Sequence, residues 1–284
     1  MQESELQELL AIARQVGWGA GEILLKAEHG DLEIQDAEGE PVTIADTAAN
    51  TYILEQLQSS LQNRAFAYLT EETFKTQPDN TRLDADYVWV IDPLDGTKDF
   101  IQKNGEYAVH IALVHQHRPV LAVVGRPAAG RLYFASLGQG AFVEQKDGAI
   151  APLHASQRNQ LDELVVVTSR SHRNDRFNQL MQQFPCQKQK PVGSLGGKFA
   201  AIADQDADVY VSLSGKSAPK DWDLAAPELI LTEAGGKLTH FDGTSLLYNQ
   251  TDVTQWGGLL ASNGHCHDQL CTAATRILAA IDER

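Results

Sequence analysis

Residues 92–98 read Asp-Pro-Leu-Asp-Gly-Thr-Lys and follow an apolar run, Trp89-Val90-Ile91. Pro93 fixes its own φ and restricts Asp92, so the chain must leave a strand there in a set direction. Gly96 permits close approach of backbone to a ligand, and the residues after it can open a helix whose unpaired N–H groups favour phosphate. Two carboxylates and an anion cradle thus share one turn. At about 4 Å two carboxylates repel by roughly 4 kcal/mol for an effective dielectric of 20, so the arrangement calls for a cation. Hard oxygen donors with no His or Cys cluster nearby point to magnesium rather than zinc or copper. Taken alone, the fragment reads equally well as a polar turn, because Asp, Pro and Gly are common turn formers. The chain carries its own control: Asp242-Gly243-Thr244 repeats the triplet without the upstream acid and proline, and is expected to be a surface turn.

Two further acidic sites lie beside apolar segments. Glu71 and Glu72 follow the run from Phe66 to Leu69, and Asp223 sits in Lys-Asp-Trp-Asp-Leu-Ala-Ala-Pro-Glu. Pro227 keeps a helix from having run far before it, which puts Asp223 near a helix N-terminus, where N-capping is the simplest role. The Glu pair by itself reads as solvated.

The elements that must position these groups follow from periodicity. Apolar residues from Leu6 to Ala27 recur every three or four positions and predict a helix over 4–27, with Ser4 and Gln7 as its capping box. Residues 28–41 read as a mobile connection, and a second helix is expected after Asp46. Strands are expected at 66–69, 87–91, 107–114, 120–124 and 131–135, so that acidic groups close two of them, where sheets present chemistry. Beyond a change of character near 150–162 the chain alternates: strands at 164–167, 208–213 and 259–261, and helices at 173–184, 198–203, 224–234 and 269–281. We therefore expect halves 1–160 and 161–284, packed as one unit.

Composition sets the outer bounds. Of 284 residues, 43% are hydrophobic and 21% charged, ordinary globular values that suit a folded α/β chain. A net charge of −15 argues against nucleic acid or an anionic membrane as partner, though not against an anionic small molecule at a metal site. No apolar run has the length of a spanning helix, and the first ten residues are acidic and amphipathic, unlike a secretory signal. Cys186, Cys266 and Cys271 are too few and too irregularly spaced for a disulfide framework or zinc motif, so a reducing cytoplasm is expected. Monomer and homodimer are equally compatible.

Together the segments Leu-Thr-Glu-Glu-Thr at 69–73, Trp-Val-Ile-Asp-Pro-Leu-Asp-Gly-Thr-Lys-Asp-Phe at 89–100 and Trp-Asp-Leu-Ala-Ala-Pro-Glu through Gly236 resemble, in order, the three signatures of the inositol monophosphatase superfamily. These are lithium-sensitive, metal-dependent phosphatases. The resemblance covers nearly the whole chain and implies a layered αβαβα sandwich with two or three Mg²⁺ per site. Glu71, Asp92 and the Leu94 carbonyl would hold one ion, and Asp92, Asp95 and Asp223 a second. Thr97 and Asp46, the latter from Val-Thr-Ile-Ala-Asp at 42–46, match the pair that orients the attacking water, with Glu71 assisting.

Within the superfamily the chain is most similar to 3'(2'),5'-bisphosphate nucleotidases of the CysQ type. Lys98 and Asp99, Lys-Asn-Gly-Glu at 103–106, Ser-Arg-Ser-His at 169–172 and Gly-Ser-Leu-Gly-Gly-Lys-Phe at 193–199 carry that likeness, the last with a one-residue difference in spacing. It implies removal of the 3'-phosphate from adenosine 3',5'-bisphosphate. Asp95, Gly96, Thr97, Lys98, Ser169, His172, Lys198 and Asp223 would line the substrate, with His172 and Lys198 facing the remote phosphate. An inositol or sugar phosphatase is the alternative, and a non-catalytic phosphate-ligand sensor a remote one. A nucleophilic-Asp phosphatase is disfavoured, because the acids of the loop, Asp92 and Asp95, stand three apart rather than in the Asp-x-Asp spacing such enzymes use.

Overall fold

The structure is a computed structural model that describes residues 1–30, 34–37, 40–61, 64–76, 80–170 and 174–283. Helix α1 (Glu3–Glu28) buries Leu9, Leu10, Ala13, Val16, Ala20 and Leu24 along one stripe, as its periodicity requires. Its N-cap is Gln2, without a side-chain cap, so Ser4 lies inside the helix and the expected Ser4–Gln7 box does not form. The Gln7 amide instead donates to Ser136 Oγ at 3.3 Å. Part of the segment expected to be a loose connection pairs as a two-stranded antiparallel ladder, β1 (Ile34–Ala37) with β2 (Glu40–Thr43). Helix α2 (Ile44–Ser60) starts before Asp46 rather than after it, because Thr43 is the N-cap and Asp46 closes the box from the third helical position.

A seven-stranded sheet follows in the order β3 (Ala67–Thr70), β4 (Tyr87–Asp95), β5 (Ala108–His115), β6 (Arg118–Arg126), β7 (Arg131–Ser136), β8 (Ala141–Gln145), β9 (Ile150–Leu153). Strand β3 runs parallel to β4, and every other neighbouring pair is antiparallel. Between β3 and β4 lies the short helix α3 (Glu71–Thr76), and after β4 comes α4 (Thr97–Ile101). Strand β4 is buried on both faces, which is why it reads as a continuous apolar run. Trp89 and Ile91 pack under α1 and α2, while Val88 and Val90 face the middle of the molecule.

The remaining elements are β10 (Val165–Thr168), α5 (Asp175–Gln183), β11 (Lys188–Pro191), α6 (Leu195–Ala203), β12 (Val209–Leu213), α7 (Asp221–Glu233), β13 (Lys237–His240), β14 (Gly258–Ser262) and α8 (His267–Asp282). The strands form a second sheet ordered β11-β10-β12-β14-β13. Leu164, Val166, Val209, Val211 and Leu260 bury one face against α5 and α8. Val167, Tyr210, Leu259 and Ala261 bury the other against α6 and α7, in a cluster shared with Val88, Val90 and Val124 of the first sheet. The layers therefore run α1/α2, seven strands, α6/α7, five strands, α5/α8, which is the αβαβα sandwich. Helix α7 begins three residues earlier than periodicity predicts and carries Pro227 in its interior.

Candidate active site

Register brings the acidic groups together. Because β3 and β4 are parallel with Thr70 opposite Ile91, the next residues of the two segments, Glu71 just past β3 and Asp92 still within β4, follow side by side. The β4–β5 ladder then shifts register between Asp92 and Asp95, a bulge at the position of Pro93, which has no N–H to give. The bulge turns Asp95 back toward the same space, and the Leu94 N–H donates to Asp92 Oδ1 at 2.9 Å. From across the cleft α7 presents Asp223, whose Oδ2 accepts the Lys220 N–H at 2.6 Å. Carboxylate oxygens of Asp92, Asp95 and Asp223 all lie within 4.8 Å of one another.

The electrostatics record that crowding. Burial pushes the Asp92 carboxyl well above its ordinary value, and the charges of Glu71, Asp95 and Asp223 push the same way. Asp223 is pushed up to about 7, by desolvation first and then by Glu71 and Asp95. Burial alone would also raise Asp95, but His110, Lys198 and the Gly196 N–H outweigh it and hold that group below the usual carboxylate range. The Gly196 N–H donates to Asp95 Oδ2 at 2.7 Å, and His110 Nε2 lies 3.2 Å from the same oxygen. The other ring nitrogen of His110, Nδ1, meets the Trp222 carbonyl at 3.2 Å, so this buried histidine spans β5 and the start of α7. Glu71 sits at the edge of the group, with Lys75 Nζ 2.8 Å from its Oε1. Its neighbour Glu72 is half-buried and pushed up to about 7 by desolvation, against the opposing charge of Lys75.

Thr97 opens α4, preceded by Gly96 at φ +89°. Its hydroxyl lies 3.2 Å from the Leu94 carbonyl and 3.4 Å from Asp46 Oδ1. Asp46 is buried, and its Oδ2 accepts both the N–H and the hydroxyl of Thr43, at 2.7 and 2.6 Å. Burial raises its pKa in spite of those bonds. An all-oxygen set of converging carboxylates whose anionic forms are strained by mutual repulsion fits hard divalent cations.

The residues expected at the substrate divide into three groups. Gly96, Thr97, Asp95 and Asp223 adjoin the cluster as expected, and Lys98 is an exposed residue of the five-residue α4. Ser169 follows β10 and is half-buried, whereas His172 lies outside the described residues. Lys198 is not exposed. It is buried in α6, and its ammonium donates to the carbonyls of Gly193 and Ser194 at 2.9 and 3.0 Å. Desolvation lowers its pKa, with Asp95, Asp99 and Glu106 opposing. Sequence reading passed over His110, which sits in an apolar strand with no local signal, and noticed Glu106 only as part of a motif.

Chain-wide comparison matches the model of the inositol monophosphatase family over residues 5–279. The chain belongs to the inositol monophosphatase family. A relative in Salmonella typhimurium, named 3'(2'),5'-bisphosphate nucleotidase CysQ, is 32% identical over 246 residues, covering 86% of this chain and 93% of its own length. One of the same name in Buchnera aphidicola is 31% identical, covering 83% and 85%. Among solved structures, CysQ from Bacteroides thetaiotaomicron superposes with a TM-score of 0.75 at 28% identity, covering 90% of this chain and 98% of its own. The Thermotoga maritima IMPase reaches 0.78 at 22% identity, over 96% and 99%, a likeness of fold. The protein is accordingly a phosphatase of this family, a class of metal-dependent enzymes. Among the described residues no helix is long and apolar enough to cross a membrane.

Proposed function

We propose that this protein is a magnesium-dependent phosphate monoesterase that removes the 3'-phosphate of adenosine 3',5'-bisphosphate, giving AMP and phosphate. The observation that carries the reading is the convergence of Asp92, Asp95 and Asp223 within 4.8 Å, beside Glu71. The substrate comes from the CysQ relatives, whose name states that nucleotidase activity. Glu71, Asp92 and the Leu94 carbonyl would hold one ion, Asp92, Asp95 and Asp223 a second, with two or three per site in all. When bound, such ions neutralise the carboxylates, acidify a water and offset the charge that gathers on the phosphoryl oxygens.

The chain's own groups then divide the work. Thr43 occupies Asp46 Oδ2, so Oδ1 is the oxygen left to accept the Thr97 proton. With its hydrogen directed there, Thr97 Oγ1 offers a lone pair to one proton of the attacking water and orients it toward phosphorus; Glu71 is assigned to accept the other. The water oxygen bonds to phosphorus as the bond to the 3'-oxygen breaks; the departing 3'-oxygen takes up a proton, balancing the one given up by the water, to become the hydroxyl of AMP, and no phosphoenzyme forms. Lys98, Ser169 and His172 are assigned to the rest of the substrate. The burial of Lys198 supports a part beneath it, holding the backbone the substrate rests on. Three buried, unpaired cysteines suit a reducing cytoplasm.

Phosphate release in magnesium from adenosine 3',5'-bisphosphate, inositol monophosphate, fructose bisphosphate and the phosphosulfate nucleotide tests the reading. The adenosine bisphosphate should give the highest kcat/KM. Faster cleavage of inositol monophosphate or fructose bisphosphate overturns the nucleotidase assignment, and no turnover on any of the four overturns the catalytic one.

A further inference from the structure

We propose that Glu106 is a positioning residue for substrate discrimination: its carboxylate holds the second half's segment Gly193–Gly196 against the metal loop of the first half. The inference rests on the nucleotidase reading for its substrate, but the clamp itself stands on geometry. Gly193–Gly196 lies beside the carboxylates. Gly196 donates to Asp95, and a Cβ on Gly96 would lie 3.0 Å from Ser194 Cβ and 3.1 Å from the Glu106 carbonyl. On this reading, a group attached to a phosphate at Asp95 would meet that segment on this side.

Glu106 makes three bonds to the second half, one of them to the segment itself. Its carboxylate accepts the Gly193 N–H, and it accepts both arms of Arg170, the Nη2 arm at 2.9 Å to Oε1. Gly193 comes so close that a Cβ there would fall 2.6 Å from Glu106 Cβ and 2.7 Å from its carbonyl oxygen. Only glycine fits this approach. The other side of the same segment is held by Lys198, which bonds the carbonyls of Gly193 and Ser194. One peptide stretch is therefore gripped by its N–H from the first half and by its carbonyls from its own helix.

Glu106 is itself anchored. Its N–H donates to Asn104 Oδ1 at 2.9 Å, the Asn104 amide donates to Asp99 Oδ1 at 2.6 Å, and Asp99 lies 3.5 Å from Arg170. The simpler account is a surface ion pair, since the Arg170 side chain is 42% exposed and such pairs contribute little. That account covers Arg170 but not the charge-assisted bond to the Gly193 N–H, nor the absence of space for any side chain at 193. The Glu106 carboxylate bonds Gly193 and Arg170 and none of Asp92, Asp95, Thr97 or Asp223, while Gly196 stays joined to Asp95 at the other end of the segment. Loss of the carboxylate should therefore displace the Gly193 end and the remote part of the substrate more than the reacting centre.

Steady-state kinetics of Glu106→Ala, Glu106→Gln and Arg170→Ala decide it, using adenosine 3',5'-bisphosphate and 4-nitrophenyl phosphate, which lacks the nucleoside and second phosphate. Glu106→Ala should raise KM for the bisphosphate about tenfold or more while kcat/KM on 4-nitrophenyl phosphate and the half-saturating magnesium stay within about twofold. Glu106→Gln keeps an oxygen for the Gly193 N–H and should recover most of the loss; Arg170→Ala should fall between. Hydrogen exchange over residues 188–198 should quicken in Glu106→Ala, a readout independent of substrate. Equal losses on both substrates, a Gln variant no better than Ala, or unchanged exchange at 188–198 overturns the proposal. Should the wild type prove indifferent to the second phosphate, the nucleotidase reading falls by itself, and the exchange result still decides whether Glu106 holds the segment.

Discussion

The triplet Asp-Gly-Thr occurs at 95–97 and at 242–244, and the two copies end in opposite circumstances. In both the glycine is left-handed, Gly96 at φ +89° and Gly243 at φ +84°. Asp242 is exposed and accepts from the N–H and hydroxyl of its own Thr244, at 2.9 and 2.6 Å, bonds that lower its pKa. Asp95 is buried, and its partners Gly196, His110 and Lys198 come from elsewhere in the chain. A Cβ on Gly243 would meet nothing within 4 Å, whereas one on Gly96 would meet Ser194 and Glu106. Local chemistry makes the same turn twice; only the first is at a bulged strand end facing a second carboxylate-bearing helix.

The sharpest test of that contrast is to neutralise each aspartate. Asp95→Asn should lower kcat by about 100-fold or more, the usual cost of losing one electrostatic stabiliser, with the fold retained by circular dichroism. Asp242→Asn should leave kcat/KM unchanged. Near-wild-type turnover of Asp95→Asn in saturating magnesium would remove the distinction.

Alanine at the two glycines gives a smaller effect of the same sign. Gly243→Ala meets only the left-handed penalty, about 1 kcal/mol, and activity should persist. Gly96→Ala meets that penalty and two contacts near 3 Å, so it should be less stable in urea than Gly243→Ala and lose about tenfold or more in kcat/KM. Equal stabilities and full activity in both variants would mean that the Gly96 contact relaxes freely.

The smallest effect is the pH dependence of the metal-free protein. Asp223 has its pKa raised to about 7, so the unfolded chain loses that proton near pH 4 while the folded chain keeps it. Its contribution to stability is present at low pH and declines as pH rises from about 4 to 7. Asp242, with a lowered pKa, contributes in the opposite sense, losing its part as the solution is acidified. Melting temperatures in EDTA should therefore show Asp223→Asn gaining on the wild type as pH rises through that window, and Asp242→Asn not gaining. Parallel profiles for all three proteins would contradict the assigned shift.

Much of the fold was legible because burial leaves a periodic trace. The long stripe of α1 and the continuous apolar run of β4 announced themselves. Strand β11 did not: it is the edge strand Lys188-Gln189-Lys190-Pro191, wholly exposed, held by its ladder to β10 rather than by any apolar face. Helix starts were misplaced where the cap was not the residue expected. Thr43 is the N-cap of α2, which therefore opens ahead of Asp46, and α7 begins at Asp221, a buried residue held by the Asn249 N–H and the Gln255 amide.

By itself the sequence determined the chemistry of the acidic loop at 92–97: Pro93 and Gly96 impose their backbone geometry wherever they stand, and oxygen donors suit hard cations regardless of fold. The three ordered signatures also named the family. Tertiary structure alone decided what each charged side chain faces. Lys198 carries the same residue type whether it reaches a cleft or turns inward onto the carbonyls of Gly193 and Ser194, and Glu106 has its grip on Gly193 only because two distant segments pack without a side chain between them. Backbone preferences are local and travel with the residue. The partners of a long polar side chain are set by which segments the packed layers bring within about 3 Å, the reach of a hydrogen bond, and that is a property of the whole chain.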